Sequence, residues 1–248
     1  MKNELVKRYT RQMILPDIGE DGQHAILEGH VLIIGLGGLG SPAAIYLAAA
    51  GIGRLSLCDY DRIDLSNLHR QILYNDLDVG KKKTEVAKTK LQQINPALEI
   101  DCYDHRLADS ELLDACRRAD VVLDCSDNFA TRFAVNKACV KQGKPLVSGA
   151  AIRLEGQIGV FNINRQSPCY ACLYPDVDDE IQRCSEVGVL GPLVGVIGSM
   201  QAMETLKLLT ATGESIGSRL LTFDAALMEW RSIRLNKDPN CPVCSANV

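Results

Sequence analysis

A run of four apolar residues that breaks into a glycine-rich turn constrains this chain more than any other feature. Val31-Leu32-Ile33-Ile34 leads into Gly35-Leu36-Gly37-Gly38-Leu39-Gly40, which matches G-x-G-x-x-G at positions 35, 37 and 40. A short, β-branched apolar run of this kind reads as a strand buried on both faces of a parallel sheet. Residues 41–50, SPAAIYLAAA, then read as a helix. A strand, a glycine turn and a helix bring backbone amides and a helix N-terminus to one point, where a phosphate group can approach. A second strand over residues 54–58 ends at Asp59, nineteen residues beyond Gly40. An acidic side chain there can hold ribose hydroxyls. The turn predicts a nucleotide site and leaves the nucleotide open.

The rest of the chain repeats the alternation. Gly80-Lys81-Lys82-Lys83 opens a helix that Pro96 ends, and the lysines read as a solvated basic face. Strands are predicted over 98–103, 121–125 and 145–148, with helices over 109–118, capped by Asp109, and over 129–143. Strands alternating with helices predict a doubly wound α/β fold of the Rossmann kind, with a mainly parallel sheet. From 151 to 164 the chain alternates without a long helix, so antiparallel strands should continue the sheet. An acidic stretch at 176–180 reads as a mobile loop, 190–211 as a buried helix, and 219–223 with 228–235 as a last strand pair. Two helices, 2–14 and 17–28, precede the glycine turn. The expected organisation is a single domain over 1–248: N-terminal helices (1–28), a nucleotide-binding part (29–150) and a distinct C-terminal part (151–248).

Composition narrows the function. A net charge of −4 gives no electrostatic footprint for nucleic acid or an anionic membrane. Met1-Lys2-Asn3-Glu4 leads into a charged amphipathic segment without an apolar signal region, so a cytoplasmic protein is expected. The longest apolar stretch, 187–200, holds four glycines and a proline and reads as buried helix rather than membrane span. Ten cysteines in a cytosolic chain should be reduced. Four of them form two C-x-x-C pairs, Cys169/Cys172 and Cys241/Cys244, and paired thiolates at that spacing predict a closed, structural Zn²⁺ site near the C-terminus.

Arg70, Lys83 and Asp127 are distant in sequence, yet a doubly wound sheet can bring all three to the glycine turn. Two cations and a carboxylate beside a phosphate loop suit a triphosphate with Mg²⁺. An NAD-dependent oxidoreductase would share the glycine turn and Asp59 but leaves these residues and the C-x-x-C pairs without a role. A binding module without catalysis would have no need of the charged set.

The turn at 35–40, Asp59-x-Asp61, Leu65-Ser66-Asn67-Leu68-x-Arg70-Gln71, Asp124-Cys125-Ser126-Asp127-Asn128 and the two C-x-x-C pairs occur in this order. Together they resemble the ThiF/MoeB/HesA family of sulfur-carrier adenylyltransferases, relatives of ubiquitin-activating enzymes. The resemblance runs from Arg8-Tyr9-Thr10-Arg11-Gln12 to Cys244. It implies ATP lying on Gly35, Gly37, Gly38 and Gly40, with its ribose held by Asp59. Asp61, Asn67, Arg70, Gln71, Lys83 and Asn128 then belong to the nucleotide site, and Asp127 serves Mg²⁺. It implies a homodimer in which Arg11 reaches the other subunit's phosphates. The implied partner is a small ubiquitin-like sulfur carrier ending in Gly-Gly, held by the 151–248 part; a sulfurtransferase or cysteine desulfurase would supply sulfur. The implied reaction is adenylation of the carrier's C-terminal carboxylate with release of pyrophosphate. Cys184 has two readings: a thiol that attacks the acyl-adenylate, or a dispensable loop cysteine. Residues 119–132, Tyr174-Pro175-Asp176 and the second C-x-x-C pair resemble the thiamine-thiazole branch, which is the expected pathway, whereas 148–157 resemble the molybdopterin branch.

Overall fold

Alternate residues of β1 (His30–Ile34) serve two cores at once. Val31 and Ile33 join an apolar cluster on one face of the sheet, Leu32 a second cluster on the other. This two-sided burial is why the run is continuously apolar. The structure is a computed structural model and describes residues 3–174 and 188–245. Its remaining strands are β2 (Arg54–Cys58), β3 (Glu99–Tyr103), β4 (Val121–Asp124), β5 (Leu146–Ile152), β6 (Glu155–Phe161), β7 (Arg219–Asp224) and β8 (Glu229–Arg234). The helices are α1 (Asn3–Met13), α2 (Gly19–Glu28), α3 (Gly40–Ala50), α4 (Lys83–Ile94), α5 (Asp109–Arg118), α6 (Phe129–Gln142), α7 (Tyr170–Leu173) and α8 (Gly191–Thr210).

All eight strands form one sheet in the order β3-β2-β1-β4-β5-β6-β7-β8. Strands β1 to β5 are parallel, and β6, β7 and β8 continue the sheet antiparallel. The expected architecture is therefore the observed one. Residues from α3, α4 and α8 fill the first cluster; α5 and α6 supply the second. No helix among the described residues is long and apolar enough to cross a membrane.

Several local expectations are corrected. Asp109 is not the N-cap of α5: Ala108 occupies that position without a side-chain cap, and Asp109 is the first helical residue. Helix α4 begins at Lys83, because residues 81–82 pair with the loop after β2: Ile63 donates to the Lys81 carbonyl, and Arg62 and Lys82 form a bridge. Strand β5 runs on to Ile152 because β6 pairs with its whole length. The short helix α7 was not expected. The loop predicted at 176–180 lies outside the described residues, as does Cys184.

Candidate nucleotide-binding cleft and cysteine cluster

The sheet order reverses between β1 and β4, and a cleft of about 1050 Å³ opens over the carboxyl ends of these strands. Crevices at this switch point are where open α/β sheets take ligands. The glycine turn forms one wall. Gly35 has φ +91°, and a Cβ there would sit 2.8 Å from the Cys125 carbonyl oxygen, so the turn can press against the end of β4 only without a side chain. A Cβ on Gly40 would meet the Gly35 carbonyl at 2.0 Å, and one on Gly38 would meet Val194 of α8 at 2.8 Å. These three glycines close the turn and pack it. Gly37 is different: the nearest atom to a Cβ there is Gln71 Nε2 at 3.5 Å, so its open side faces the cleft.

Asp59 fixes the other side of the turn. Its Oδ2 accepts from the Leu36 amide at 2.7 Å and its Oδ1 from the Asp61 amide at 2.9 Å. Lys83 Nζ donates to Asp61 Oδ2 at 2.7 Å and lies 3.8 Å from Asp59 Oδ2. Burial pushes the Asp59 carboxyl above its ordinary value, against the Lys83 charge and the two amides, which favour the ionised form. The expectation of a solvated lysine face holds for Lys81 but not for Lys83, which is 3% exposed and lines the cleft. Pairing with two acidic side chains is what permits that burial.

Asp64 accepts from Ser66 N, and Asn67 Oδ1 accepts from the Asp64 amide. This capping box shapes the turn that delivers Asn67, Arg70 and Gln71 to the cleft. Arg70 Nη1 donates to the Ser66 carbonyl at 3.1 Å and lies 2.8 Å from His69 Nε2. Gln71 is buried, and its Oε1 has no partner among the described residues. Gln71 lines the cleft, and its unpartnered acceptor is one that a bound ligand or an ordered water would satisfy.

Asp127 and Asn128 form the opposite wall. Asn128 Oδ1 caps α6 by accepting from Thr131 N at 2.9 Å, and its amide donates to Asp127 Oδ1 at 3.3 Å. Asp127 makes no ion pair among the described residues. A carboxylate without an ion-pair partner, in the same cleft as Arg70 and Lys83, is a hard oxygen donor of the kind Mg²⁺ takes. Two thiols also line the cleft, Cys58 and Cys125. Burial pushes Cys58 up to about 11 and Cys125 higher still, so neither is a thiolate at neutral pH.

The cleft thus gathers Gly35, Gly37, Gly38, Asp59, Asp61, Asn67, Arg70, Gln71, Lys83, Asp127 and Asn128; Gly40 lies just behind it as the first residue of α3. Arg11 is not brought there: it is exposed on α1 and does not line its own chain's cleft. Sequence reasoning missed a buried pair: Arg132, which lines the cleft, and the fully buried Asp124. The available signal was a charge in the first turn of α6, directly after the Asp127-Asn128 turn.

The two C-x-x-C pairs meet. The Sγ atoms of Cys169, Cys172, Cys241 and Cys244 all lie within 4.8 Å of one another. Three separations are 3.9 Å (Cys169–Cys172), 3.6 Å (Cys169–Cys241) and 3.5 Å (Cys172–Cys244). A tetrahedral Zn²⁺ with bonds of about 2.3 Å needs sulfur–sulfur edges of about 3.8 Å, so the four residues fit the ion. Burial pushes the Cys169 thiol up to about 11, a cost that a coordinated cation would reverse.

A profile of the ThiF family matches residues 9–243. The chain is 46% identical over 240 residues to the sulfur carrier protein ThiS adenylyltransferase of Escherichia coli strain K12, covering 97% of this chain and 95% of that protein. It is also 46% identical over 249 residues to the adenylyltransferase and sulfurtransferase MOCS3 of Drosophila virilis, covering 99% of this chain. This chain spans about half of the MOCS3 protein, 55% of its length. Among solved structures, E. coli MccB with ATP superposes with a TM-score of 0.82 at 25% identity, over 96% of this chain and 74% of that one. MccB with MccA-N7isoASN gives 0.83 at 25% identity over the same shares.

Proposed function

This chain belongs to the ThiF family, and on that premise we propose that it uses ATP to adenylate the C-terminal carboxylate of a small ubiquitin-like sulfur carrier ending in Gly-Gly. One observation carries the reading: Lys83, Arg70 and Asp127, far apart in sequence, line one cleft against a glycine turn at the switch point of the sheet. An oxidoreductase using a nicotinamide has no use for that set.

The chemistry follows from the charges. An α-carboxyl group titrates at about 3.5, so the carrier's terminus is already an anion at neutral pH and needs no general base. Its oxygen attacks the α-phosphorus; a carboxyl oxygen–phosphorus bond forms, the bond to the bridging oxygen breaks, and pyrophosphate departs with the electron pair. The barrier is the approach of one anion to another and the charge that collects on the leaving group. Lys83 and Arg70 supply fixed positive charge, the open side of Gly37 admits phosphate to the backbone, and Asp59 orients the ribose. Mg²⁺, held by Asp127, would neutralise phosphate charge. The partner subunit's Arg11 would add a third cation in a homodimer. Zn²⁺ on the four cysteines ties the C-terminal segment to α7 and takes no part in the chemistry. The cleft lining continues onto β5, β6 and β7, with Ala150, Ala151 and Gly156 beside the polar Glu155, Gln157 and Thr222. Small residues there leave room for a Gly-Gly tail, and polar ones can meet its backbone.

Sulfur is delivered to the activated carboxylate by a separate donor, a sulfurtransferase or cysteine desulfurase. The thiamine-thiazole carrier is the preferred substrate, on the resemblance of 119–132 and 241–244 to that branch. The molybdopterin carrier is the second reading, favoured by the 148–157 stretch. Exchange of labelled pyrophosphate into ATP, run with each carrier in turn, tests the proposal. Carrier-dependent exchange supports it, and the faster carrier identifies the branch. No exchange with either, together with protection from thermal unfolding by NADH but not by Mg-ATP, would refute it.

A further inference from the structure

Asp127 owes its position to the two residues beside it, and both are anchored. Ser126 donates through its amide (3.1 Å) and its hydroxyl (2.6 Å) to Asp124 Oδ1, while its carbonyl accepts from Arg132 Nη2 at 2.5 Å. Asn128 caps α6. Asp124 is fully buried; its Oδ2 accepts from the Ser148 hydroxyl at 2.9 Å, and Gln201 Nε2 donates to its carbonyl at 2.9 Å. Arg132 Nη1 donates to Ser148 Oγ at 3.3 Å and lies 3.6 Å from Asp124 Oδ2. Arg132 is 6% exposed.

A guanidinium in this place is not explained by helix stability. Arg132 stands in the first turn of α6, at the positive end of its dipole, where a cation is disfavoured. Nor does a buried ion pair by itself argue for stability, since well-packed apolar replacements are often neutral or better. What the pair does provide is geometry. A helical side chain leans back toward the N-terminus of its helix, so Arg132 reaches under the turn that carries Asp127. Its planar fork spans two acceptors that a point charge could not hold together.

We propose that Arg132 is a positioning residue: through Ser126 and Asp124 it fixes the turn that presents the Asp127 carboxylate to the metal ion of the bound nucleotide. This rests on the nucleotide-site reading above. Residues that orient a metal ligand typically change metal affinity by about 10- to 100-fold when replaced. The effect should therefore fall on the Mg²⁺ dependence of nucleotide binding rather than on nucleotide binding itself.

The test is calorimetric titration with α,β-methylene-ATP, a non-reacting analogue, across a range of Mg²⁺ concentrations. Two variants are used. Arg132→Gln removes the fork but leaves Asp124 unpaired; Asp124→Asn/Arg132→Gln removes both charges and keeps an amide for the serines. We expect both variants to need about 10- to 100-fold more Mg²⁺ for half of the Mg²⁺-induced gain in affinity, with unchanged affinity in the absence of Mg²⁺. An unchanged Mg²⁺ requirement in a folded variant would overturn the inference. So would equal losses with and without Mg²⁺, or failure of both variants to fold, since either result makes Arg132 a general structural residue. If the wild-type protein binds the analogue with no Mg²⁺ dependence, the assignment of Asp127 falls and the inference with it. If the wild-type protein does not bind the analogue at all, the proposed function itself is refuted.

Discussion

Replacing Lys83 by methionine should separate its structural from its electrostatic role. The ammonium is buried at 3% exposure between two carboxylates of unequal setting. The Asp61 side chain is 54% exposed, so its loss of a partner is screened and contributes about 0–1 kcal/mol. The Asp59 side chain is 9% exposed, and stranding a buried charge costs about 3–5 kcal/mol. The lower end applies, because the Leu36 and Asp61 amides still donate to Asp59. A loss of about 3 kcal/mol in a chain of this size lowers Tm by roughly 6–12 °C. The pH dependence has a definite sign. Burial already raises the folded pKa of Asp59, and removing Lys83 raises it further. The deficit relative to the wild-type protein is absent where Asp59 is protonated in both folded proteins and grows as pH rises from the wild type's folded value, itself above the unfolded value of about 3.9, toward the variant's higher one. The Tm deficit of Lys83→Met should therefore be small near pH 4 and full near pH 8. Adding Asp59→Asn should restore Tm but not pyrophosphate exchange, which should stay down by about 100-fold or more. Thermal unfolding of the wild-type protein and the two variants across that pH range checks this. A variant that melts with the wild-type protein at pH 8, or whose deficit grows on acidification, would refute the electrostatic account of this site.

Other perturbations have equally definite outcomes. Arg70→Ala should fold normally and lose about 100-fold or more in pyrophosphate exchange, because on the proposed reading it removes a fixed cation from the phosphate site; wild-type exchange would take Arg70 out of the site. If Arg11 acts across a homodimer interface, mixing the inactive Arg11→Ala and Arg70→Ala proteins should restore about a quarter of wild-type activity, since half the dimers are mixed and each holds one intact site. No recovery despite demonstrated subunit exchange would reject that assignment. Metal analysis of freshly purified, reduced protein should find one Zn²⁺ per chain, and chelation should lower Tm before it lowers activity; Cys244→Ser with unchanged Tm and full zinc content would contradict the four-cysteine site. Cys184→Ala should keep pyrophosphate exchange, because a carboxylate attacking phosphorus needs no thiol; loss of exchange with nucleotide and carrier binding intact would show the thiol acting before adenylation.

The parts of this molecule legible in the sequence are those where local pattern and tertiary setting agree. Strand β2 falls on residues 54–58 as expected, because its alternation and its neighbours both demand a strand. The cysteine cluster was legible because metal geometry dictates the C-x-x-C spacing whatever the fold around it. The lysine run shows the opposite case. Composition treats Lys81, Lys82 and Lys83 alike, whereas only the third meets Asp59 and Asp61, which lie more than twenty residues earlier. Arg132 was opaque for the same reason: its partners are Asp124 of β4, Ser148 of β5 and the Ser126 carbonyl of the turn before α6, and a charge in the first turn of α6 does not by itself say which groups it meets. The glycine turn was read as one phosphate cradle, but three of its glycines answer to packing against β4, α8 and the turn itself, and only Gly37 keeps an open side. Arg11 lies on an exposed face of α1, where it makes no side-chain hydrogen bond or ion pair among the described residues.

On the proposed reading, the carrier's own carboxylate attacks the α-phosphorus in this cleft. It is tested most directly by intact-mass measurement on a carrier whose terminal carboxylate is labelled with heavy oxygen, after incubation with this protein and Mg-ATP. The expected product is a carrier heavier by one adenylate unit, lost when the terminal Gly-Gly is removed and absent with Arg70→Ala. AMP released on transfer to a sulfur nucleophile should carry one heavy oxygen from the carboxylate. An adduct that forms without the Gly-Gly terminus, or AMP without the label, would contradict it.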